Sequence, residues 1–345
     1  MHLLALSYLL LLPREIFSRK LTKEENIMLK KECGAHELNH TQSMGFRVLS
    51  MGGEKVKPNT LPWIAALFAF NDRGMFRCSA VQISRRHILT AAHCVVDDKL
   101  DDGQQETVCK LLHLSNINPN SVPNLFFKPF KHIEVYATSN HTGPLHYEDR
   151  DRLFKMEIEG FPYVHKGYDR CTLDNDLAVI ELKSDVPREV GSPICMRENE
   201  ELAHKLTSVG YGFDPDHSDP KESDFHWLQK VDFHSEDIQE SNTIITASHR
   251  TKSTCMGDSG GPLVQLNHEN KYVLVGIVSS GTPKCNETIT EEQTRESDFT
   301  NLRGHLDWIC THSGVCPIQQ MGSHHDKGNF SEKHIYIEIG VIEWK

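Results

Sequence analysis

The sequence predicts an all-β fold, either a barrel or a sandwich. Two observations carry this. The segments 61–70, 78–90, 177–182 and 272–280 are short, rich in β-branched and apolar residues, and bounded by Gly, Pro, Asn or Asp, which is how strands separated by turns read. Helical periodicity is nearly absent. The best stretch is 302–310, where Leu302, Leu306, Trp308 and Ile309 predict one short helix near the end of the core. Many short strands with turn signals between them belong to barrels and sandwiches.

In chain order, Leu3 to Leu12 is a nearly unbroken apolar run closed by Pro13 and Arg14. It is shorter than the roughly 20 residues a membrane helix needs. At the N-terminus it reads as a signal peptide, residues 1–18, with Ile16 and Ser18 at the cleavage-site positions. Residues 19–49 are charged and polar and read as a propeptide or linker. A folded domain follows over 50–316. Within 97–170 the texture is irregular, with scattered Asn, Pro and His, and predicts strands interrupted by a large surface insertion. Residues 317–345 form a polar tail in which Ile335 to Ile342 alternate.

Composition narrows the function. The 345 residues carry a net charge of -11, and no Lys/Arg block exists to neutralise phosphates, so nucleic acid is not an expected partner. No later stretch approaches membrane length, so a soluble, secreted, extracellular product is expected. The 10 cysteines are an even number, as an oxidising compartment favours, and none forms a Cys-x-x-Cys pair. Asn39, Asn140, Asn286 and Asn329 open Asn-x-Ser/Thr sites, the acceptors of glycosylation in a secreted chain.

Three motifs carry chemistry. Hydrolysing a peptide without a metal needs a hydroxyl activated by a base, an orienting group for that base, and donors for the oxyanion. Gly257-Asp258-Ser259-Gly260-Gly261-Pro262 supplies an exposed hydroxyl in a backbone that turns sharply, with the N–H groups of Gly257 and Ser259 as candidate oxyanion donors. Leu89-Thr90-Ala91-Ala92-His93-Cys94 supplies an imidazole among small residues, beside a cysteine that can hold it. Asp174-Asn175-Asp176-Leu177 places a carboxylate just before an apolar strand, where Asp176 can fix the tautomer of His93 and stabilise the imidazolium.

In the order His93, Asp176, Ser259, these motifs resemble the chymotrypsin/trypsin family of serine proteases, from about Gly52 to Ile309. Gly52-Gly53 with Pro62-Trp63, Gly210-Tyr211-Gly212, Ser279-Ser280-Gly281 and Trp308-Ile309 add to the resemblance. The elaborated first barrel also resembles trypsin-like proteins of nematodes. The resemblance implies that residues 50–316 form two perpendicular six-stranded antiparallel β-barrels, the first at about 62–195 and the second at about 205–305, with a short C-terminal helix and the triad between them. It implies a secreted serine endopeptidase made as a zymogen, with protein or peptide substrates, protease inhibitors as further partners, and no cofactor or metal. It further implies that Cys78 bridges to Cys94, Cys255 to Cys285 and Cys33 to Cys195, which leaves Cys109 with Cys171 and Cys310 with Cys316.

The chain departs from the family at two places. Cleavage there frees an apolar N-terminus whose ammonium pairs with the Asp before the nucleophile, here Asp258. This chain has Leu49-Ser50-Met51-Gly52-Gly53, and cutting after Arg47 leaves a terminus two residues too long. At the specificity pocket, Ser253 stands where trypsins carry Asp, which resembles chymotrypsins and implies an apolar or aromatic preference. Gly281 leaves the entrance open, and Ser279 joins the substrate-binding set. Ser297 is expected to narrow the floor, with Glu296 and Asp298 as flanking charges. His36-Glu37-Leu38-Asn39-His40 spells a zinc-protease pattern, but it sits in the propeptide segment and overlaps a glycosylation acceptor. The rival reading is a noncatalytic, protease-like binding protein.

Overall fold

The computed structural model describes residues 19–34, 54–98, 102–115, 127–130, 132–138, 141, 145–198, 200–213, 227–283, 285, 287–290 and 292–318. The leader, the His36–His40 pattern, Gly52-Gly53, the four glycosylation acceptors and the Ile335–Ile342 run lie outside the described residues.

The strands form two curled, essentially antiparallel sheets. Those of the first half are β1 (Glu54–Lys55), β2 (Ile64–Asn71), β3 (Gly74–Gln82), β4 (His87–Thr90), β5 (Val96–Asp98), β6 (Phe127–Pro129), β7 (His132–Ala137), β8 (Phe154–Met156), β9 (Tyr163–Val164) and β10 (Ala178–Glu181). One sheet of seven strands runs β8-β7-β2-β3-β4-β10-β9, and β5 pairs with β6 apart from it. The second half supplies β11 (Cys195–Met196), β12 (Lys205–Gly210), β13 (Gln229–His234), β14 (Ile238–Glu240), β15 (Ile244–His249), β16 (Pro262–Leu266), β17 (Tyr272–Thr282) and β18 (Arg295–Asn301). They build a sheet ordered β1-β13-β12-β16-β17-β18-β15-β14, with β11 alongside β17 in parallel. The two-barrel expectation therefore holds, with the short pieces β1 and β11 added to the rim of the second barrel.

Sequence alternation explains the second barrel. Along β13, Val231 and Phe233 are buried while Lys230, Asp232 and His234 are partly exposed, the two-residue period of a sheet with one face inward. Val231 and Phe233 join Leu206, Ile245, Leu263, Val275 and Phe299 in that barrel's core. A larger cluster around Phe68, Val81, Leu89 and Val179 fills the first barrel and reaches Tyr211, Ile277 and Ile309. Burying each such side chain is worth about 1.5–3 kcal/mol. The predicted strand 78–90 divides in two, because Ser84 turns the chain. Its hydroxyl accepts from the Arg86 N–H at 3.1 Å and meets His87 Nδ1 at 2.8 Å.

Three helices occur among the described residues: α1 (Lys23–Glu32), α2 (Asp102–Leu114) and α3 (Leu306–Ser313). The expected helix at 302–310 begins as a 3-10 turn over Leu302–Gly304, and α3 follows it. Gly314, at φ 74, closes α3 in the left-handed region, and a Cβ there would overlap the backbone of Leu21. α1 belongs to the segment read as propeptide or linker. A capping box between Thr22 and Glu25 starts it, and the segment packs onto both halves of the molecule. Leu21 N–H donates to Ser313 O at 2.9 Å, Glu25 pairs with Arg86 at 2.9 Å, and buried Asn26 donates to Cys316 O at 2.9 Å. All ten cysteines are paired: Cys33–Cys195, Cys78–Cys94, Cys109–Cys171, Cys255–Cys285 and Cys310–Cys316.

Candidate active site

His93 sits in the 3-10 turn Ala92–Cys94 that follows β4. Ala91 and Ala92 are fully buried, so the turn lies tight against the barrel. The Cys78–Cys94 bond, closing a span of 16 residues, anchors it to β3, a constraint worth about 3 kcal/mol in the chain-entropy account. The ring remains one-fifth exposed.

Asp176 is fully buried just before β10. Its Oδ2 lies 2.7 Å from His93 Nδ1, and its Oδ1 accepts the His93 backbone N–H at 2.9 Å. Ser279 Oγ donates to the same Oδ2 at 2.6 Å, and Thr300 Oγ1 donates to the Asp176 carbonyl at 3.1 Å. Burial alone would raise this carboxyl; His93 and the hydrogen bonds from His93 and Ser279 hold it below the usual carboxylate range. Asn175 delivers it through a left-handed turn at φ 54. The carboxamide of Asn175 donates to Gly167 O at 2.9 Å and meets His305 Nε2 at 3.0 Å.

Ser259 lies in the loop entering β16. Gly257 at φ 102 and Gly260 at φ 77 take conformations that side chains disfavour. A Cβ on Gly260 would run into Thr90 Oγ1 and Ser79 O, on the strand pair that carries His93. The Ser259 carbonyl accepts the Ser79 N–H at 2.8 Å, next to Cys78. Ser259 and Ser279 line one small cavity of about 130 Å³, and Ser279 touches Asp176. The serine loop thus packs against β3 and β4, the strands that precede His93, and shares a cavity with Ser279, the hydrogen-bond partner of Asp176. No direct hydrogen bond joins Ser259 to His93 among the described residues; such bonds are often long in unliganded sites.

The cavity is walled by Thr254, Cys255, Met256, Val278, Ser280, Gly281 and Cys285, none of them charged. Ser253 and Ser297, expected at its floor, do not line it. Their hydroxyls are used internally: Ser253 Oγ donates to Thr254 O at 2.6 Å, and Ser297 Oγ accepts the Thr254 N–H at 2.9 Å. Glu296 points to solvent, and Asp298 is held by Thr246 at 2.7 Å and Ser280 at 3.2 Å. Gly281 pairs with Ser297 of β18, whereas β16 stops pairing with β17 at Ile277. One edge of Ser279–Gly281 is therefore left unpaired by β16.

Asp258 is buried behind the loop. Its oxygens accept the N–H groups of Gly212 at 2.7 Å and Cys255 at 2.9 Å. Among the described residues it meets no cation, and burial pushes its pKa up to about 6. Gly210 and Gly212 are needed beside it, since a Cβ on either would overlap its carboxylate.

Sequence reasoning missed several residues here. Ser79 and His305 meet the site's loops only through the fold, and their neighbours in sequence give no sign of it. The insertion after β5 carries α2, which Cys109–Cys171 ties to the loop leading to Asp176. The His93, Cys78 and Cys94 atoms are close enough together to suggest a metal site, but both sulfurs are in a disulfide and are not available as thiolates.

Comparison with known proteins agrees with this geometry. Residues 50–120 and 131–301 match the family model described as Trypsin. The phenoloxidase-activating enzyme of Bombyx mori is 26% identical over 285 residues, 75% of this chain and 59% of that protein. Tissue-type plasminogen activator of Pongo abelii is 27% identical over 310 residues, 80% of this chain and 46% of that protein. CLIP domain-containing serine protease B15 of Anopheles gambiae is 25% identical over 285 residues, 75% of this chain and 68% of that protein. The chain spans 46% to 68% of the length of these relatives. Because the family match covers most of the chain and spans both sheets and all three motifs between them, this chain belongs to the trypsin family of serine proteases.

Proposed function

We propose that the chain is a secreted serine endopeptidase that works through an acyl-enzyme. The observation that carries this reading is the 2.7 Å contact of His93 Nδ1 with the buried Asp176 carboxylate. An acceptor at Nδ1 requires the proton there, so the lone pair of Nε2 is free to act as a base. His93 takes the proton of Ser259 Oγ as that oxygen attacks the scissile carbonyl carbon. The oxyanion is received by the N–H groups of Gly257 and Ser259. His93 then protonates the leaving amine, and water releases the acyl group by the same steps.

Ser279–Gly281, open on one edge, suits pairing with substrate backbone. The uncharged walls of the cavity favour an uncharged side chain before the cut, in line with the Ser at position 253. Five disulfides suit an extracellular enzyme. The test is cleavage of a diverse peptide library by the full chain, with the N-terminus of the mature protein sequenced in parallel. Cuts after apolar residues, lost in Ser259→Ala, support the proposal. Cuts that persist in Ser259→Ala refute it.

A second reading, a noncatalytic protease-like binder, is favoured by one observation. Buried Asp258 meets backbone N–H groups and no cation among the described residues. A chain that binds library peptides without cutting any would support it.

A further inference from the structure

Resting on that reading of Ser259 as nucleophile, we propose that Ser79 is a positioning residue for the oxyanion site. It fixes the carbonyls of the two residues whose N–H groups receive the oxyanion. Ser79 lies on β3 of the first barrel, fully buried. Its N–H donates to the Ser259 carbonyl at 2.8 Å, and its hydroxyl donates to the Gly257 carbonyl at 2.8 Å. The same hydroxyl accepts the Tyr211 N–H at 2.9 Å. The carbonyl of Ser79 is occupied by Thr90 Oγ1 at 3.0 Å, so every polar atom of this residue is engaged.

An N–H lies in the peptide plane that precedes its residue, and that plane is tied through the residue's φ and ψ to the plane that follows. For Gly257, the preceding plane is held by the Phe213 N–H on Met256 O at 2.8 Å, and the following plane by the Ser79 hydroxyl. For Ser259, the preceding plane is held by the Gly261 N–H on Asp258 O at 2.8 Å, and the following plane by the Ser79 N–H. Ser79 therefore holds the plane that follows each donor, which limits the φ and ψ rotations that would turn the N–H away, and it does so from the opposite barrel. Gly257 is the more dependent of the two. Its φ of 102 lies where neighbours must hold the backbone in place. Asp258, between them, contributes hydrogen bonds but no ion pair among the described residues. Among the described residues, the hydrogen bonds that hold the loop to the first barrel come from one neutral serine, tied in turn to Tyr211 and so to the Gly212 N–H that meets Asp258. Packing leaves little room for alternatives. Cβ atoms built at Gly210 and Gly261 would come within 3.0 Å and 3.1 Å of the Ser79 side chain.

Ser79→Ala removes the hydroxyl and keeps the N–H, leaving Gly257 O and Tyr211 N–H unpaired. The expected result is a fall in kcat of about 10- to 100-fold with KM changed less than about threefold, since the loss falls on the transition state. The second readout is inhibitor selectivity. A peptidyl aldehyde built on the best-cleaved library sequence, which forms a tetrahedral adduct on Ser259, should weaken by the same factor. The peptide amide of that sequence, which needs no oxyanion site, should keep its affinity. Ser79→Gly serves the same test if the alanine variant does not fold.

Equal loss of aldehyde and amide binding would make Ser79 a purely structural residue and overturn the proposal. Unchanged kcat would overturn it as well. Wild type that reacts with neither aldehyde nor substrate would instead sink the peptidase reading on which it rests.

Discussion

Two carboxylates, Asp176 and Asp258, are buried to a similar degree within one cleft, and their acidities move in opposite directions. Asp176 has an imidazole, a hydroxyl and a backbone N–H directed at it and is held below the usual range. Asp258 has two backbone N–H groups and no charge partner among the described residues, and rises to about 6. Burial is common to both, so the partner decides the sign. The partners of Asp176 favour its ionised form and hold it against the His93 ring. Asp258 is a carboxylate whose ionisation costs the folded state until a cation reaches it.

The largest expected effect is at Asp176. Asp176→Asn should leave the fold intact and lower kcat by about 10⁴-fold, because the amide no longer fixes the proton on Nδ1 of His93. Steady-state kinetics on a fluorogenic peptide measures it, and a loss under tenfold would contradict the role. Next comes Ser279, whose 2.6 Å hydrogen bond ends on the charged oxygen of Asp176. Ser279→Ala should reduce kcat/KM by about 10- to 100-fold, as expected for a charge-assisted bond of 1.5–3 kcal/mol.

Asp258 gives the opposite kind of prediction. A folded pKa of about 6 against an ordinary value of 3.8 means that between these pH values the folded state holds a proton that the unfolded state has lost. Its contribution to stability is complete below the unfolded pKa and is lost as pH rises through about 6. Relative to Asp258→Asn, the uncleaved wild type should lose about 2 kcal/mol between pH 4 and pH 7. Urea unfolding at several pH values, disulfides intact, reads this out; a difference that does not vary with pH would contradict it.

Glu134 in the first barrel tests the same rule at a site away from catalysis. Burial pushes it up, but hydrogen bonds from Lys155, His132 and Tyr136 bring it down to about 2. Its contribution is present above the unfolded pKa and lost as pH falls through about 2. Glu134→Gln should cost about 1–2 kcal/mol at pH 7, discounted for partial solvent access, and nothing near pH 2.

Much of this was legible in the sequence where function confines the backbone. The serine loop shows itself by glycines, because Gly257 and Gly260 take positive φ and Gly260 packs against Thr90. The His93 turn shows itself by small residues. The strands were legible where a run of consecutive apolar residues is buried, as in β2 and β17. What escaped was of two kinds. α1 and α2 lack a continuous apolar face, and α1 holds its place through Asn26, Glu25 and Cys33 instead. The capping pattern Thr22-x-x-Glu25 was the available signal for α1. Long-range contacts escaped too. The span from Ser79 to Gly257 crosses 178 residues, and a serine after a cysteine announces nothing about a carbonyl that far along the chain. At the expected pocket floor, Ser253 and Ser297 direct their hydroxyls to the backbone of Thr254, a local pairing that residue types alone do not reveal.

The most direct test of the central claim is covalent. The intact protein, before and after limited proteolysis, is treated with a peptidyl phosphonate, and the modified residue is mapped by mass spectrometry. The account predicts one phosphonyl group per chain, on Ser259, absent from Ser259→Ala and strongly slowed in Asp176→Asn. Wild type that remains unmodified under every treatment, or that is modified elsewhere, would contradict it.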